Sequence, residues 1–129
     1  MATILIVDDD AEVVDLFRIF LSREGHVVMT ADGGSSCLRK IQDTAPDLII
    51  LDVMMAPIDG WDTLAAIRNC PATRTTPVIM ITAKELETEE RKRYGALFTM
   101  YLVKPVRRDE LCTAVEKILD RNATQPVAF

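Results

Sequence analysis

Residues 46–55 read Pro46-Asp47-Leu48-Ile49-Ile50-Leu51-Asp52-Val53-Met54-Met55, in which Leu48–Leu51 is an unbroken apolar run that stops on the carboxylate of Asp52. A short run without polar alternation reads as a strand covered on both faces, the signature of a parallel sheet flanked by helices. Asp52 is the anomaly in it. An acid at the end of a buried strand is costly unless a partner offsets its charge, so one stretch poses both the fold and the chemistry.

Outward from this strand, four similar runs stand at Thr3–Val7, Val27–Ala31, Val78–Ile81 and Tyr101–Val103. Between them apolar residues fall at helical spacing: Val13, Leu16, Phe17 and Phe20; Leu38 and Ile41; Leu64 and Ile67; Leu111, Val115, Ile118 and Leu119. Gly25, Pro46, Pro71 and Pro77 punctuate these segments where a helix cannot easily continue. The remaining helix is expected within Glu85–Tyr94, a charged stretch with little apolar stripe. Alternating strands and helices joined by right-handed crossovers predict an α/β fold: a doubly wound five-stranded parallel sheet in the flavodoxin-like order 2-1-3-4-5, with helices on both faces. Residues 1–120 form one domain in this reading. Arg121–Phe129, which lacks periodicity, is expected to be a flexible C-terminal tail.

At 129 residues and 49% hydrophobic content, the chain holds enough apolar material for one buried core. A net charge of -5 and the absence of a lysine- and arginine-rich block speak against direct nucleic-acid binding. Cys37, Cys70 and Cys112 form no C-x-x-C pair and read as small hydrophobes in a reducing compartment. Neither a signal peptide nor an apolar run of membrane-spanning length is present, so a soluble cytoplasmic protein without membrane contact is expected.

In an open parallel sheet, ligands collect at the carboxyl ends of the strands, near the reversal of strand order. The first run ends in Asp8-Asp9-Asp10, the third in Asp52, the fourth in Thr82 and the fifth in Lys104-Pro105. Gathered in one pocket, Asp8, Asp9 and Asp52 would repel one another, and a hard divalent cation with oxygen ligands is the simplest neutralisation. Magnesium fits best, because it takes few carboxylates and shares its remaining positions with phosphate, whereas zinc would want clustered His or Cys. Lys104 and Thr82 are then suited to the oxygens of a transferring phosphoryl group.

Each residue also has a plainer reading. One aspartate of the triplet can cap the helix that follows, Thr82 can cap another, and Lys104 can be an ordinary solvated loop residue. Capping takes only one carboxylate, however, and leaves Asp52 unexplained. The combination carries more weight than any member.

The segments ILIVDDD (4–10), LIILDVMMAPIDGW (48–61), PVIMITAK (77–84) and YLVKP (101–105) resemble, in order, the receiver domain of CheY-like response regulators in two-component signal transduction. The resemblance covers essentially the whole chain. It implies a phosphorylation-activated signalling switch rather than an enzyme: Asp52 accepts a phosphoryl group from a sensor histidine kinase or a phosphotransfer protein, in a Mg2+-dependent reaction for which Mn2+ can substitute. On this resemblance Asp9 is a direct metal ligand, Asp8 a ligand through water, and Met54 contributes its backbone carbonyl. Thr82 is the switch hydroxyl, Lys104 the amine that pairs with the phosphoryl group, and Tyr101 the switch aromatic. The responsive surface is the fourth helix, fifth strand and fifth helix, roughly residues 85–120. A downstream protein, a fused output domain or, on phosphorylation, a second copy of the chain would read it.

Two departures from the family pattern stand out. Pro57 lies one place later than usual after Asp52, although Gly60 keeps its spacing, and Ala96-Leu97-Phe98-Thr99-Met100 is longer and more apolar than the usual short acidic linker. Leu97, Phe98 and Met100 read as extra core or as a docking patch, with core the favoured of the two. Met54 and Lys84 occupy the positions that influence the hydrolytic water, and a thioether orients water poorly, so slow self-dephosphorylation is expected.

The main competing reading is a degenerate, phosphate-independent receiver acting as a protein-binding module, which the intact set of Asp8, Asp9, Asp52, Thr82 and Lys104 opposes. A metal-dependent phosphatase with an aspartyl-phosphate intermediate is another, but haloacid-dehalogenase-like enzymes usually carry a second acid where this chain has Met54. A nucleotide binder is disfavoured by three acids in the place of a phosphate loop. His26 reads as an exposed residue entering the second strand, not as a phosphoryl donor.

Overall fold

The structure, a computed structural model, describes residues 1–124. In chain order the elements are β1 (Thr3–Val7), α1 (Ala11–Arg23), β2 (Val27–Ala31), α2 (Gly34–Asp43), β3 (Leu48–Asp52), α3 (Gly60–Asn69), β4 (Val78–Thr82), α4 (Thr88–Tyr94), β5 (Met100–Val103) and α5 (Arg108–Thr124), with a short 3-10 turn at Pro71–Thr73. The strands form one sheet in the order β2-β1-β3-β4-β5, every pair parallel, as the alternating pattern predicts. Strand order reverses at β1 and β3, and the acids of the sequence lie at their carboxyl ends.

Side chains alternate across the sheet with a period of two, so each strand feeds two cores. Ile4, Ile6, Leu48, Ile50, Ile79 and Ile81 pack against Phe17 and Leu21 of α1 and Leu111, Val115 and Ile118 of α5. Leu5, Val7, Ile49, Leu51, Val78 and Met80 meet Cys37 and Ile41 of α2 and Trp61, Leu64 and Ile67 of α3 on the other side. All residues of β3 and β4 are buried, which is why these strands show no polar alternation.

Several boundaries differ from expectation. β3 and β4 each run one residue further, to Asp52 and Thr82, and β5 begins one residue earlier, at Met100. Leu16, counted with the apolar stripe of the first helix, is 47% exposed, because the stripe runs through Phe17 and Leu21, a full turn apart. α5 continues to Thr124, so Arg121–Thr124, expected in the tail, extend the helix; Arg121 and Ala123 are good helix formers and no Gly or Pro interrupts them. Residues 125–129, the rest of that tail, lie outside the described residues.

The remaining expectations concern single residues. Gly25, at φ 90°, ends α1 in the left-handed region and donates its N–H to Ser22 O at 3.0 Å. His26 is half-buried rather than exposed, and its Nδ1 accepts a 3.2 Å bond from the Ala2 N–H. Leu97 and Phe98 pack on the α2–α3 side and Met100 on the α1–α5 side, so this segment is core. All three cysteines are free thiols, and burial pushes the Cys37 thiol up to about 12. No helix among the described residues is long and apolar enough to cross a membrane.

Candidate functional site

The aspartate triplet after β1 divides its labour. Asp10 caps α1, its carboxylate accepting from the Glu12 N–H at 3.0 Å, which is the plain structural role one acid was needed for. Asp8 is 4% exposed and accepts from the Asp10 N–H at 2.9 Å, while Asp9 stays exposed. Asp52, also 4% exposed, ends β3 beside them. Asp8, Asp9 and Asp52 each offer a carboxylate oxygen, and these three oxygens lie within 4.8 Å of one another.

Lys104 reaches this group from β5. Its backbone N–H donates to Thr82 O at 2.7 Å, and its Nζ lies 3.0 Å from Asp8 Oδ2 and 3.7 Å from Asp52 Oδ1. Burial works against the lysine's charge, but the hydrogen bond to Asp8 and the charges of Asp52 and Asp8 outweigh it, so its pKa ends above the ordinary value. Burial, followed by the charge of Asp8, pushes the Asp52 carboxyl up to about 6; Lys104 and the Met54 N–H, 3.4 Å from Asp52 Oδ1, pull the other way. One cation among three acids leaves the group short of positive charge. Three convergent oxygen donors without nitrogen or sulfur suit a hard divalent cation, so the residues present fit magnesium.

Two side chains depart from their neighbours' pattern. The Thr82 hydroxyl is fully buried and has no hydrogen-bond partner among the described residues. It does not cap α4, whose start is held by a reciprocal pair between Glu87 and Glu90. A buried, unsatisfied hydroxyl at a strand end needs a reason, and an incoming oxygen ligand supplies one. Met54 is 58% exposed, so only its backbone is held near Asp52.

The turn after Asp52 is fixed by Gly60. Its N–H donates to Val53 O at 2.8 Å, and a Cβ there would collide with Asp52 O and Val53 Cα. Asp59 caps α3 through the Asp62 N–H at 2.9 Å. The Ala56–Pro57 and Lys104–Pro105 peptide bonds are both cis.

Tyr101 lies away from the three acids. Its hydroxyl donates to Lys84 O at 2.9 Å, and its ring joins Trp61 and Phe98, with centroids 6.3 and 5.9 Å away. Burial, then the charges of Glu90, Glu85 and Glu87, push its phenol up to about 12. Trp61 and Glu90 were not singled out from the sequence, yet they line a cleft of about 430 Å³ with Asp9, Met54 and Lys84. A tryptophan directly after the glycine of the Asp52 turn was the available signal.

The family model of the response regulator receiver domain matches residues 4–116. Protein PilG of Pseudomonas aeruginosa is 34% identical over 113 residues, 88% of this chain and 84% of its own length. The transcriptional regulatory protein CpxR of Escherichia coli is 39% identical over 122 residues, 95% of this chain but 51% of the regulator, so the chain spans about half of that relative. The crystal structure of the N-terminal domain of a response regulator receiver protein from Methanoculleus marisnigri shares 45% identity at a TM-score of 0.78, covering 94% of this chain and 98% of that one. The chain therefore belongs to the response regulator receiver domains of two-component signal transduction.

Proposed function

We propose that this receiver domain is a phosphorylation-activated switch whose acceptor is Asp52. The observation that carries this reading is the convergence, at one end of the sheet, of three carboxylate oxygens, the Lys104 amine and a buried hydroxyl that has no partner among the described residues. Asp9 would hold Mg2+ directly, Asp8 through water, with Asp52 and the Met54 carbonyl completing the protein's share; Mn2+ suits the same oxygens. When bound, the cation supplies the positive charge that lets a phosphoryl group approach three acids.

The chain's own residues perform the transfer. An Asp52 oxygen attacks the phosphorus of a donor phosphohistidine on a sensor kinase or phosphotransfer protein. The new O–P bond forms as the P–N bond breaks, and the imidazole nitrogen leaves with the electron pair. With its carboxyl pushed to about 6, Asp52 is still mostly ionised at neutral pH and able to attack. Lys104 pairs with a phosphoryl oxygen, and Thr82 donates its free hydroxyl to another. That movement leaves room for Tyr101 to turn, and the surface of α4, β5 and α5 changes for a downstream protein, a fused output domain or a second copy. We place this activity in the cytoplasm and assign the chain no nucleic-acid contact of its own.

The test is the mass of the purified chain after incubation with Mg2+ and acetyl phosphate or phosphoramidate, in parallel with Asp52→Asn. One phosphoryl group on the unmodified chain alone, lost when EDTA is present, is the expected outcome. A folded, magnesium-binding chain that takes no adduct would replace this reading with a phosphate-independent protein-binding module. The exposed thioether of Met54 also implies slow loss of the phosphoryl group. Rapid spontaneous loss without a phosphatase refutes that point alone.

A further inference from the structure

Among the seven residues of α4 none is buried, so the helix has no apolar face of its own to hold it in place. What holds it comes from α3. Trp61, 5% exposed, donates its Nε1–H to Glu90 Oε2 at 3.0 Å and stacks on Tyr94, with centroids 4.5 Å apart and planes 7° from parallel. The second Glu90 oxygen accepts the Glu87 N–H at 3.1 Å, so one carboxylate both starts the helix and ties it to the indole. Further along α3, Arg68 Nε donates to Leu97 O at 2.9 Å and anchors the connection from α4 to β5.

The indole is also tied to the acceptor. Trp61 follows Gly60, whose N–H donates to Val53 O, and the Val53 N–H in turn donates to Ile81 O at 3.3 Å. The indole and Glu90 share their cleft with Asp9, Met54 and Met55. Asp9, whose carboxylate oxygen lies within 4.8 Å of one on Asp52, lines the cleft that holds Glu90, so negative charge added at Asp52 borders that cleft and works against a further carboxylate held there.

We propose that Trp61 is a positioning residue that pins α4 to α3 through Glu90 and Tyr94, and that phosphorylation loosens this pin. It would act as a second route from Asp52 to α4, parallel to that of Thr82 and Tyr101. The proposal rests on the phosphorylation reading above. Its physical content is a differential interaction: the Glu90–indole bond is strong without the phosphoryl group and weaker with it.

Hydrogen exchange at the Arg91–Tyr94 amides tests it, on the chain with and without acetyl phosphate and Mg2+, with the mass of each sample read in parallel. Phosphorylation of the unmodified chain should speed these amides about fivefold, the scale of one lost hydrogen bond. Trp61→Phe keeps an aromatic ring and removes the donor; without phosphate it should exchange about fivefold faster, with α1 amides unchanged, and phosphorylation should add little. Glu90→Gln keeps an acceptor for the indole and removes the charge. It should exchange as the unmodified chain does without phosphate and respond weakly when phosphorylated. Unchanged exchange in Trp61→Phe, or a full phosphorylation response in both variants, overturns the pin. An unmodified chain that gains no phosphoryl mass overturns the phosphorylation reading instead, and with it the loosening, whereas the phosphate-free arm judges the hold itself.

Discussion

β3 buries every one of its residues and α4 buries none, although the loop that follows β3 lines the same cleft as Glu90 of α4. The strand is fixed by two layers of side chains, and the helix by one indole, one carboxylate and one stacked tyrosine. Opening free energies differ within one domain, and segments with few buried contacts open first. On the proposed switch, chemistry at Asp52 needs oxygens held in fixed positions, whereas signalling needs a surface with two accessible positions. That reading gives the two demands to different elements.

The contrast can be broken first at Ile50, 2% exposed at the centre of β3. Ile50→Ala should lower the unfolding free energy by about 3–4 kcal/mol, through lost transfer energy and the cavity left behind. A urea titration measures it, and a loss below about 1 kcal/mol would mean that the strand is far less constrained than its burial implies.

A smaller effect of opposite sign is expected at Asp52. Its carboxyl is pushed up to about 6, so between the ordinary carboxylate value and that pH the folded chain binds a proton that the unfolded chain does not. Stability from this group therefore falls as pH rises through that window and stays low above it. In EDTA, Asp52→Asn should be more stable than the unmodified chain by about 1–2 kcal/mol at pH 7, a figure reduced for solvent screening, with the gap closing toward pH 4. Thermal unfolding across pH reads this directly. A destabilised variant at pH 7 would show that Lys104 more than offsets the burial of the charge.

The smallest effect sharpens the comparison from the other side. Lys92 of α4 lies 3.7 Å from Glu89, and both side chains are largely exposed. Lys92→Ala should change the unfolding free energy by less than about 0.5 kcal/mol. A larger change would show that surface charge, rather than the contacts to α3, holds the helix.

Much of this was legible from residue types alone. Five apolar runs gave five strands, and strand ends at the reversal of order bring Asp8, Asp9 and Asp52 together, with Lys104 reaching them from the end of β5, because backbone topology fixes where a strand end lies. Asp10 and Asp8 could not be separated by sequence, since either spacing offers a carboxylate to a helix start; only the bond to the Glu12 N–H decides. The Trp61–Glu90 bond joins residues 29 apart on two elements and follows no period, so no pattern announces it. The extension of α5 past Asp120 was hidden because Arg121–Thr124 carry no apolar periodicity in the sequence.

Trp61 is the chain's one tryptophan. Its indole lies between a tyrosine ring and a carboxylate, two neighbours to which excited-state emission responds, and no second indole contributes background. The protein thus carries a built-in optical label at the joint between α3 and α4. A stopped-flow fluorimeter, with no attached dye, can follow that joint after a phosphodonor and Mg2+ are added, and so time the proposed switch.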